Sequence, residues 1–157
     1  MPASPLRKLL VGLGALAGVA AAGAAVGRRI SSHEQGTPAS NPLPPCPDGA
    51  RNCYRATRSF GLPAADVYAA LERAARSNPG FLTGRLVSLR KDGLSFDAVY
   101  AVGPFKDDLR VVVHGDELGS VAHVRSTTRS RGWWDLGVNR RRAEALFDAA
   151  GYHLQGA

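Results

Sequence analysis

The chain has 157 residues, of which 45% are hydrophobic, and this is enough for one globular domain and little more. Its net charge of +7 overstates the charge of that domain, because four cations and no acid lie in the first 29 residues, which leaves +3 for the remainder. A domain with so small a positive excess is not expected to bind nucleic acid.

Residues 1–29 contain an apolar run from Leu9 to Gly27, 19 residues without a charge. This is about the length that crosses a bilayer as a helix. Arg7 and Lys8 before the run, and small-x-small alanine sites within it, also fit a secretory signal peptide. We therefore expect either an N-terminal apolar helix that anchors the chain, with the membrane as its partner, or a cleaved signal. The remainder is expected on the extracytoplasmic side of the cell membrane, or secreted after cleavage.

Residues 30–45 are polar, rich in proline and without periodicity, which predicts an extended linker. Cys46 and Cys53 follow as the only two cysteines. Behind a secretory segment an isolated close pair favours a disulfide, with a redox pair or two free thiols as the alternatives. The histidines are too scattered to complete a metal site, and neither a metal nor a cofactor is predicted.

Residues 46–157 have the pattern of a single α+β domain. Consecutive short strands joined by tight turns predict an antiparallel meander sheet with two packed helices, in the order β-α-β-β-β-β-α. The predicted elements are the strand Tyr54–Phe60, the helix Ala64–Ser77, the strands Arg85–Arg90, Leu94–Val102, Leu109–His114 and Ser120–Ser126, and a last helix that starts near Asp135, its N-cap residue, and ends at a cap at Gly151.

Helical spacing in the last helix predicts which of its side chains face the sheet. Counted from Leu136, the apolar positions place Arg140 on the packed face, where it needs a carboxylate partner, and point Arg141 and Arg142 elsewhere. The pair Asp107-Asp108 is expected in a turn, solvated.

Four side chains near the end of the last strand and the start of the last helix form the candidate ligand site: Arg125, Arg129, Asn139 and Arg140. Helix N-termini offer free backbone donors, and arginine matches phosphate or carboxylate in a bidentate manner. The expected ligand is anionic or amphipathic, such as an anionic small molecule or a lipid headgroup. Alternatively, these arginines pair with internal acids and only fix the strand–helix junction, and the adjoining Trp133 and Trp134 are core residues rather than membrane anchors.

A hydrolase is the alternative from another class, since His123, Ser126 and an aspartate such as Asp97 or Asp135 supply the residue types of a triad. No Gly-x-Ser-x-Gly motif is present. His123 lies between apolar residues of a predicted strand, which is more typical of a structural histidine. No catalytic residue is therefore assigned, and we expect a non-enzymatic binding or structural module whose protein partner the sequence does not indicate.

Three stretches carry a resemblance: the cysteine loop Cys46–Cys53, His123–Arg129, and the run Asp135–Arg142, which reads DLGVNRRR. Together they resemble the family of domains of unknown function numbered 1499, over about residues 45–151. The resemblance implies an uncharacterised domain whose relatives are often membrane-anchored or exported, and it brings no catalytic residues. The cysteine loop and the tandem tryptophans depart from the family's usual pattern. The order of elements is also similar to helix-grip domains of the START-like type, which implies a fold around a cavity for an apolar ligand.

Overall fold

The computed structural model describes residues 41–77, 83–115, 118–130 and 134–155. In chain order they form β1 (Cys53–Phe60), α1 (Ala64–Ser77), β2 (Arg85–Asp92), β3 (Ser95–Val102), β4 (Phe105–Gly115), β5 (Ser120–Thr128) and α2 (Val138–Gln155). The predicted α+β order is confirmed. The apolar segment of residues 1–29, most of the predicted linker and Trp133 lie outside the described residues. None of the helices that are described is long and apolar enough to cross a membrane.

The sheet has five antiparallel strands in the order β1-β5-β4-β3-β2. Strands β2 to β5 are consecutive hairpins, as the tight turns predict, and β1 pairs with β5 at the far edge. Alternate residues of each strand face opposite sides. Both helices pack against one side of the sheet and against each other. We call this side the inner face and the opposite side the outer face.

The core lies between the inner face and the two helices. Its members are apolar and fully enclosed, and the largest are Val67 and Leu71 of α1, Phe96 and Tyr100 of β3, Leu109 and Val111 of β4, Val124 of β5, and Leu146 and Phe147 of α2. Enclosing one such aliphatic or aromatic side chain contributes about 1.5–3 kcal/mol. The long helix held against an antiparallel sheet gives the helix-grip-like arrangement that was expected.

Helix α2 begins at Val138 rather than at Asp135, and it continues to Gln155, so the predicted cap at Gly151 is wrong. Asp135 precedes the helix and caps it, because its carboxylate accepts hydrogen bonds from the backbone N–H groups of Gly137 and Asn139, both at 2.9 Å. Leu136 lies in the turn before the helix and is 52% exposed, so the prediction that it faces the sheet is also wrong.

That boundary shift changes which arginine is buried. Counting the helical period from Leu136 put Arg140 on the packed face, but Leu136 is outside the helix. Arg140 is exposed and pairs with Glu144 one turn later, at 2.7 Å. Arg142 is the buried one, on the same face as Ala143 and Leu146, so the prediction for both arginines was wrong.

Strand β4 begins at Phe105, so Asp107 is a strand residue and not a solvated turn residue. It alternates with the buried Leu109 and Val111 and is itself only 2% exposed. Asp108 is the outward neighbour, and it forms an ion pair with Arg129. The predicted solvated turn is therefore wrong for Asp107.

The beginning of the described chain is fastened in two ways. Cys46 and Cys53 form the predicted disulfide, with 5.7 Å between their Cα atoms. Before it, Asn41 and Leu43 are buried, although they belong to the predicted linker. Asn41 Nδ2 donates to Thr57 Oγ1 at 3.1 Å, and Arg55 Nη1 donates to the carbonyl of Leu43 at 2.8 Å. The chain thus enters the domain over the outer face, at the β1 edge.

Candidate functional site

A buried polar cluster joins α2 to the end of the sheet. Its centre is the Arg142 guanidinium, which is 3% exposed and donates from Nη2 to Asp107 Oδ2 at 2.6 Å. The same group donates to Ser126 Oγ at 2.7 Å and to the carbonyl of Thr83 at 2.7 Å. Its carbon lies 4.7 Å from the centre of the Tyr100 ring. A charge removed from water in this way is tolerated only because its hydrogen bonds and counterion are supplied by the protein.

Asn139 is the second member of this cluster and is fully buried. Its Oδ1 accepts from Ser126 Oγ at 2.6 Å and from Arg142 at 3.0 Å. Its Nδ2 lies 2.8–3.0 Å from three acceptors, which are Asp135 Oδ2, Thr128 Oγ1 and the carbonyl of Asn52. Asn139 therefore ties together the cysteine loop, β5 and the cap of α2.

Beside the cluster is a pocket of about 260 Å³ at the end of the sheet. It is walled by the β3–β4 turn, the end of β5 and the turn before α2. Most of its wall is apolar, from Val102, Pro104, Phe105, Trp134, Leu136 and Val138, with Asn52, Asp107, Thr128 and Asp135 as polar members. The space between α2 and the sheet is filled by Leu146 and Phe147, so this pocket lies beyond the core and not within it.

Asp107, which lines the pocket, has an unusual polar atom. Its Oδ2 is taken by Arg142, whereas its Oδ1 is buried and accepts no hydrogen bond from any part of the chain that the structure describes. An enclosed carboxylate oxygen without a donor costs about 1–3 kcal/mol or more, and such atoms are uncommon in folded proteins. This atom is the only carboxylate oxygen of the described residues that is both buried and without a partner.

Leu136 forms part of the pocket rim in a strained backbone conformation. Its φ of 52° places it in the left-handed region, and it is the only residue other than glycine with positive φ among those the structure describes. Bulky residues rarely adopt this region, and strain of this kind is often found at functional sites. The turn presents a large apolar side chain to solvent at the mouth of an apolar pocket.

The four residues of the predicted anion site lie on different sides of the molecule. Arg125 alternates with the core-facing Val124 and Ser126, so it belongs to the outer face, and Arg129 pairs there with Asp108 at 2.7 Å. Asn139 is in the buried cluster, and Arg140 is exposed on α2. Hydrogen bonding to Asp108 raises the pKa of Arg129, and hydrogen bonding to Glu144 raises the pKa of Arg140. The sheet therefore separates the first two residues from the last two.

The residues considered for hydrolysis are not brought together either. His123 and Ser126 are three positions apart in β5 and face opposite sides. His123 Nδ1 shares a hydrogen bond of 3.0 Å with Thr57 Oγ1, and Ser126 is held by Asn139 and Arg142. Burial lowers the pKa of His123, and the nearby charges of His114 and Arg55 lower it further. In the residues described, no group of three or more His, Cys, Asp or Glu side chains is placed to hold a metal ion.

The residues of the pocket and its polar cluster that the sequence analysis missed include Asp107, Arg142, Asn52, Phe105 and Leu136. Asp107 had a usable signal, because it is in phase with Leu109, Val111 and Val113 at a period of two, which marks an inward position. The others had none, because their role depends on where two turns meet and on the residue at which α2 begins.

Several solved structures are similar to this chain, including the following three. Ara h 8.0201 is 14% identical, with a TM-score of 0.46, and the match covers 66% of this chain and 97% of that one. TTHA0849 from Thermus thermophilus is 12% identical, with a TM-score of 0.37, and the match covers 66% of this chain and 97% of that one. CalU16 from Micromonospora echinospora is 13% identical, with a TM-score of 0.41, and the match covers 64% of this chain and 77% of that one. No curated protein matches the chain.

The family resemblance rests on the same residues that build the buried cluster. The run Asp135–Arg142 supplies the helix cap, Asn139 and Arg142, and the cysteine loop supplies Asn52. A family model matches residues 30–149, which is most of the chain. This protein belongs to the family described as protein of unknown function DUF1499.

Proposed function

We propose that this domain is a non-enzymatic binding module that holds a small ligand with an apolar body in the pocket at the end of its sheet. The single observation that carries the proposal is the pocket itself, which combines mostly apolar walls with a polar base. Ligand sites in proteins commonly have this composition. Its volume of about 260 Å³ is just below the range of about 300–1,000 Å³ that is usual for such sites, which suits a single ring or a short chain.

The strain at Leu136 supports the same proposal. A surface turn that only connects β5 to α2 gains nothing from a bulky apolar residue with φ of 52° and a side chain that is 52% exposed. A ligand in the pocket would cover Leu136 together with Phe105, which is 37% exposed at the same rim. Covering exposed apolar surface is the main source of favourable binding free energy for a ligand of this kind.

The proposed place of action is the extracytoplasmic side of the cell membrane. The support is the uncharged run of residues 9–27 and the disulfide Cys46–Cys53, since structural disulfides persist in oxidising compartments. A ligand with an apolar body would also partition into a nearby bilayer. The proposal covers both the anchored and the cleaved form of the chain.

Quenching of tryptophan fluorescence by bromobenzene tests the proposal on the purified full-length chain. Trp134 lines the pocket, so a heavy-atom probe of this size should quench it with saturation. Leu136→Asp and Phe105→Asp introduce a charge at the rim and should abolish the saturable quenching. Val87→Asp is the matched control, because Val87 is 48% exposed on β2 and does not line the pocket. Non-saturable quenching that is equal in all four proteins would refute the proposal.

A second candidate function concerns the outer face and keeps the anionic partner expected from the sequence. Register pairing places one residue from each strand in a single row across the sheet: Arg55, Arg125, Arg110, Asp97 and Arg90. The Arg110–Asp97 ion pair in this row is about half exposed. We call these five residues the arginine row. Its formal charge favours contact with anionic lipid headgroups, and the chain enters the domain over the same face at Leu43.

This candidate is tested with soluble short-chain lipids, which avoid any effect of the N-terminal segment on vesicle binding. Dihexanoyl phosphatidylglycerol should shift the arginine side-chain NMR signals of the full-length protein, and dihexanoyl phosphatidylcholine should not. Arg110→Glu should remove the effect, whereas Arg73→Glu, at an exposed position of α1, should keep it. Equal shifts with the two lipids would exclude the anionic lipid as partner.

A further inference from the structure

We infer that the ligand of this pocket carries a neutral hydrogen-bond donor, a hydroxyl group, at the end of its apolar body, and that Asp107 Oδ1 accepts the hydrogen bond. The inference rests on the proposed function of the same pocket. It concerns the polar head of the ligand, whose chemistry the apolar walls do not determine.

The position of the head follows from the one buried and unsatisfied side-chain atom among the residues that line the pocket. Asp107 is among the residues that line the pocket, and its side chain is 2% exposed. Because Oδ1 is enclosed and accepts nothing from the described protein, a ligand donor placed there satisfies it without competition. A ligand that lacks a donor would leave Oδ1 without a partner, as it is in the free protein, and would gain less free energy on binding than a ligand that makes this hydrogen bond.

The charge of the head follows from Arg142. This guanidinium already balances Asp107 through Oδ2 at 2.6 Å, so the pair is neutral as a whole. An anionic head would bring a second acceptor oxygen against Oδ1, and the two oxygens would repel each other. An ammonium head would be attracted by Asp107 and repelled by Arg142, and it would also have to lose its hydration. A hydroxyl donates to Oδ1 with the smallest desolvation penalty of the three.

Two of the surrounding polar groups are acceptors that the chain itself already uses. Asn52 and Asp135 also line the pocket, but the carbonyl of Asn52 accepts from Asn139 and Thr128, and the Asp135 carboxylate accepts from the backbone N–H groups of Gly137 and Asn139. The helix N-terminus that would attract an anion is therefore already capped by a carboxylate. The buried acceptor that the pocket-lining residues leave unsatisfied is Asp107 Oδ1.

A series of eight-carbon ligands that differ only in the head tests this inference. Octan-1-ol, octylamine and octanoate are titrated at pH 7 against bromobenzene bound to the full-length protein, and displacement is followed by tryptophan fluorescence. We expect octan-1-ol to displace the probe at a concentration about tenfold lower than octanoate, which corresponds to about 1.4 kcal/mol, with octylamine between them. Octanoate that displaces the probe at the same or lower concentration than octan-1-ol would overturn the inference.

Asp107→Asn sharpens the test, because its amide keeps an oxygen for Arg142 and turns an N–H₂ group toward the pocket. The preference for octan-1-ol over octanoate should disappear or reverse in this variant. Asp108→Asn is the matched control on the opposite face of the same strand, and it should bind the three eight-carbon ligands in the same order of strength as the wild type.

If Asp107→Asn does not fold, the titrations of the wild-type protein alone decide. Saturable bromobenzene quenching with no preference among the three heads defeats this inference alone, whereas absence of saturable quenching defeats the proposed function as well.

Discussion

Arg142 in α2 donates to Asp107 in β4 at 2.6 Å, and the two side chains are 3% and 2% exposed. This buried ion pair connects the last helix to the strand that leads into the pocket. Its hydrogen bonds to Ser126, Asn139 and Thr83 fix the guanidinium in one orientation. The pair therefore holds the base of the pocket as well as the packing of the helix, and it explains why the arginines of this run are not equivalent.

Arg142→Ala should lower the free energy of unfolding by about 3–5 kcal/mol, because it leaves the buried Asp107 carboxylate without its counterion. Arg140→Ala is the control in the same helix. Arg140 is exposed and pairs with Glu144 one turn away, so its loss should change stability by less than about 1 kcal/mol. Equilibrium unfolding in urea measures both. A larger loss for Arg140→Ala than for Arg142→Ala would contradict the assignment of the buried arginine.

Removing both members of the pair separates its electrostatic effect from packing. Asp107→Leu combined with Arg142→Met should be more stable than Arg142→Ala, since no unpaired charge remains in the core. The same double variant should lose the preference for octan-1-ol, because the acceptor is gone. A double variant that is less stable than Arg142→Ala would show that the hydrogen bonds to Ser126 and Thr83 contribute more than the pairing of charges.

Reduction of the disulfide should lower the free energy of unfolding by about 2–3 kcal/mol, as expected for a loop closed by cysteines seven positions apart. It should also weaken ligand binding, because Asn52 precedes Cys53, lines the pocket and accepts from Asn139. Thermal unfolding and bromobenzene quenching are compared with and without reductant. The Cys46→Ser, Cys53→Ser protein is the control, and its melting temperature and bromobenzene quenching should not change when reductant is added.

The sequence was sufficient for the architecture, since the strands carry a period of two and the helices a period near 3.6. The sequence was insufficient wherever the first residue of a helix or strand decides which of its side chains face the core. A helix that starts at Val138 rather than at Asp135 exchanges the places of Arg140 and Arg142. A strand that starts at Phe105 converts Asp107 from a solvated acid into a buried one. The pocket could not be predicted, because it is formed where two turns distant in sequence meet.

Acidification should destabilise the domain through His123. Burial, with His114 and Arg55 nearby, lowers the pKa of His123 in the folded protein below its usual value of 6.5. The unfolded chain therefore binds the proton first, so the stability is fully present above about pH 6.5 and is lost as the pH falls from there through the folded pKa. Melting temperatures between pH 7.5 and 5 should fall less steeply in His123→Gln than in the wild type.

His153→Gln is the matched control for this pH dependence, since His153 lies in α2 and takes no part in the bond between His123 and Thr57. It should retain the wild-type slope. An unchanged slope in His123→Gln would mean that other groups cause the loss of stability, and the buried histidine would then be excluded as its source.

Leu136 should show a conflict between stability and binding. Its φ of 52° suits glycine, so Leu136→Gly should relieve backbone strain and raise the melting temperature, with a gain of up to about 1 kcal/mol after the entropy of the unfolded glycine is included. Leu136→Val should do the opposite, because a β-branched residue fits the left-handed region least. Both variants remove apolar surface from the rim, so both should weaken the displacement of bromobenzene by octan-1-ol.

Equal melting temperatures for the glycine and valine variants would show that the turn is not strained. A glycine variant that is more stable and still binds octan-1-ol as the wild type does would show that Leu136 takes no part in the pocket.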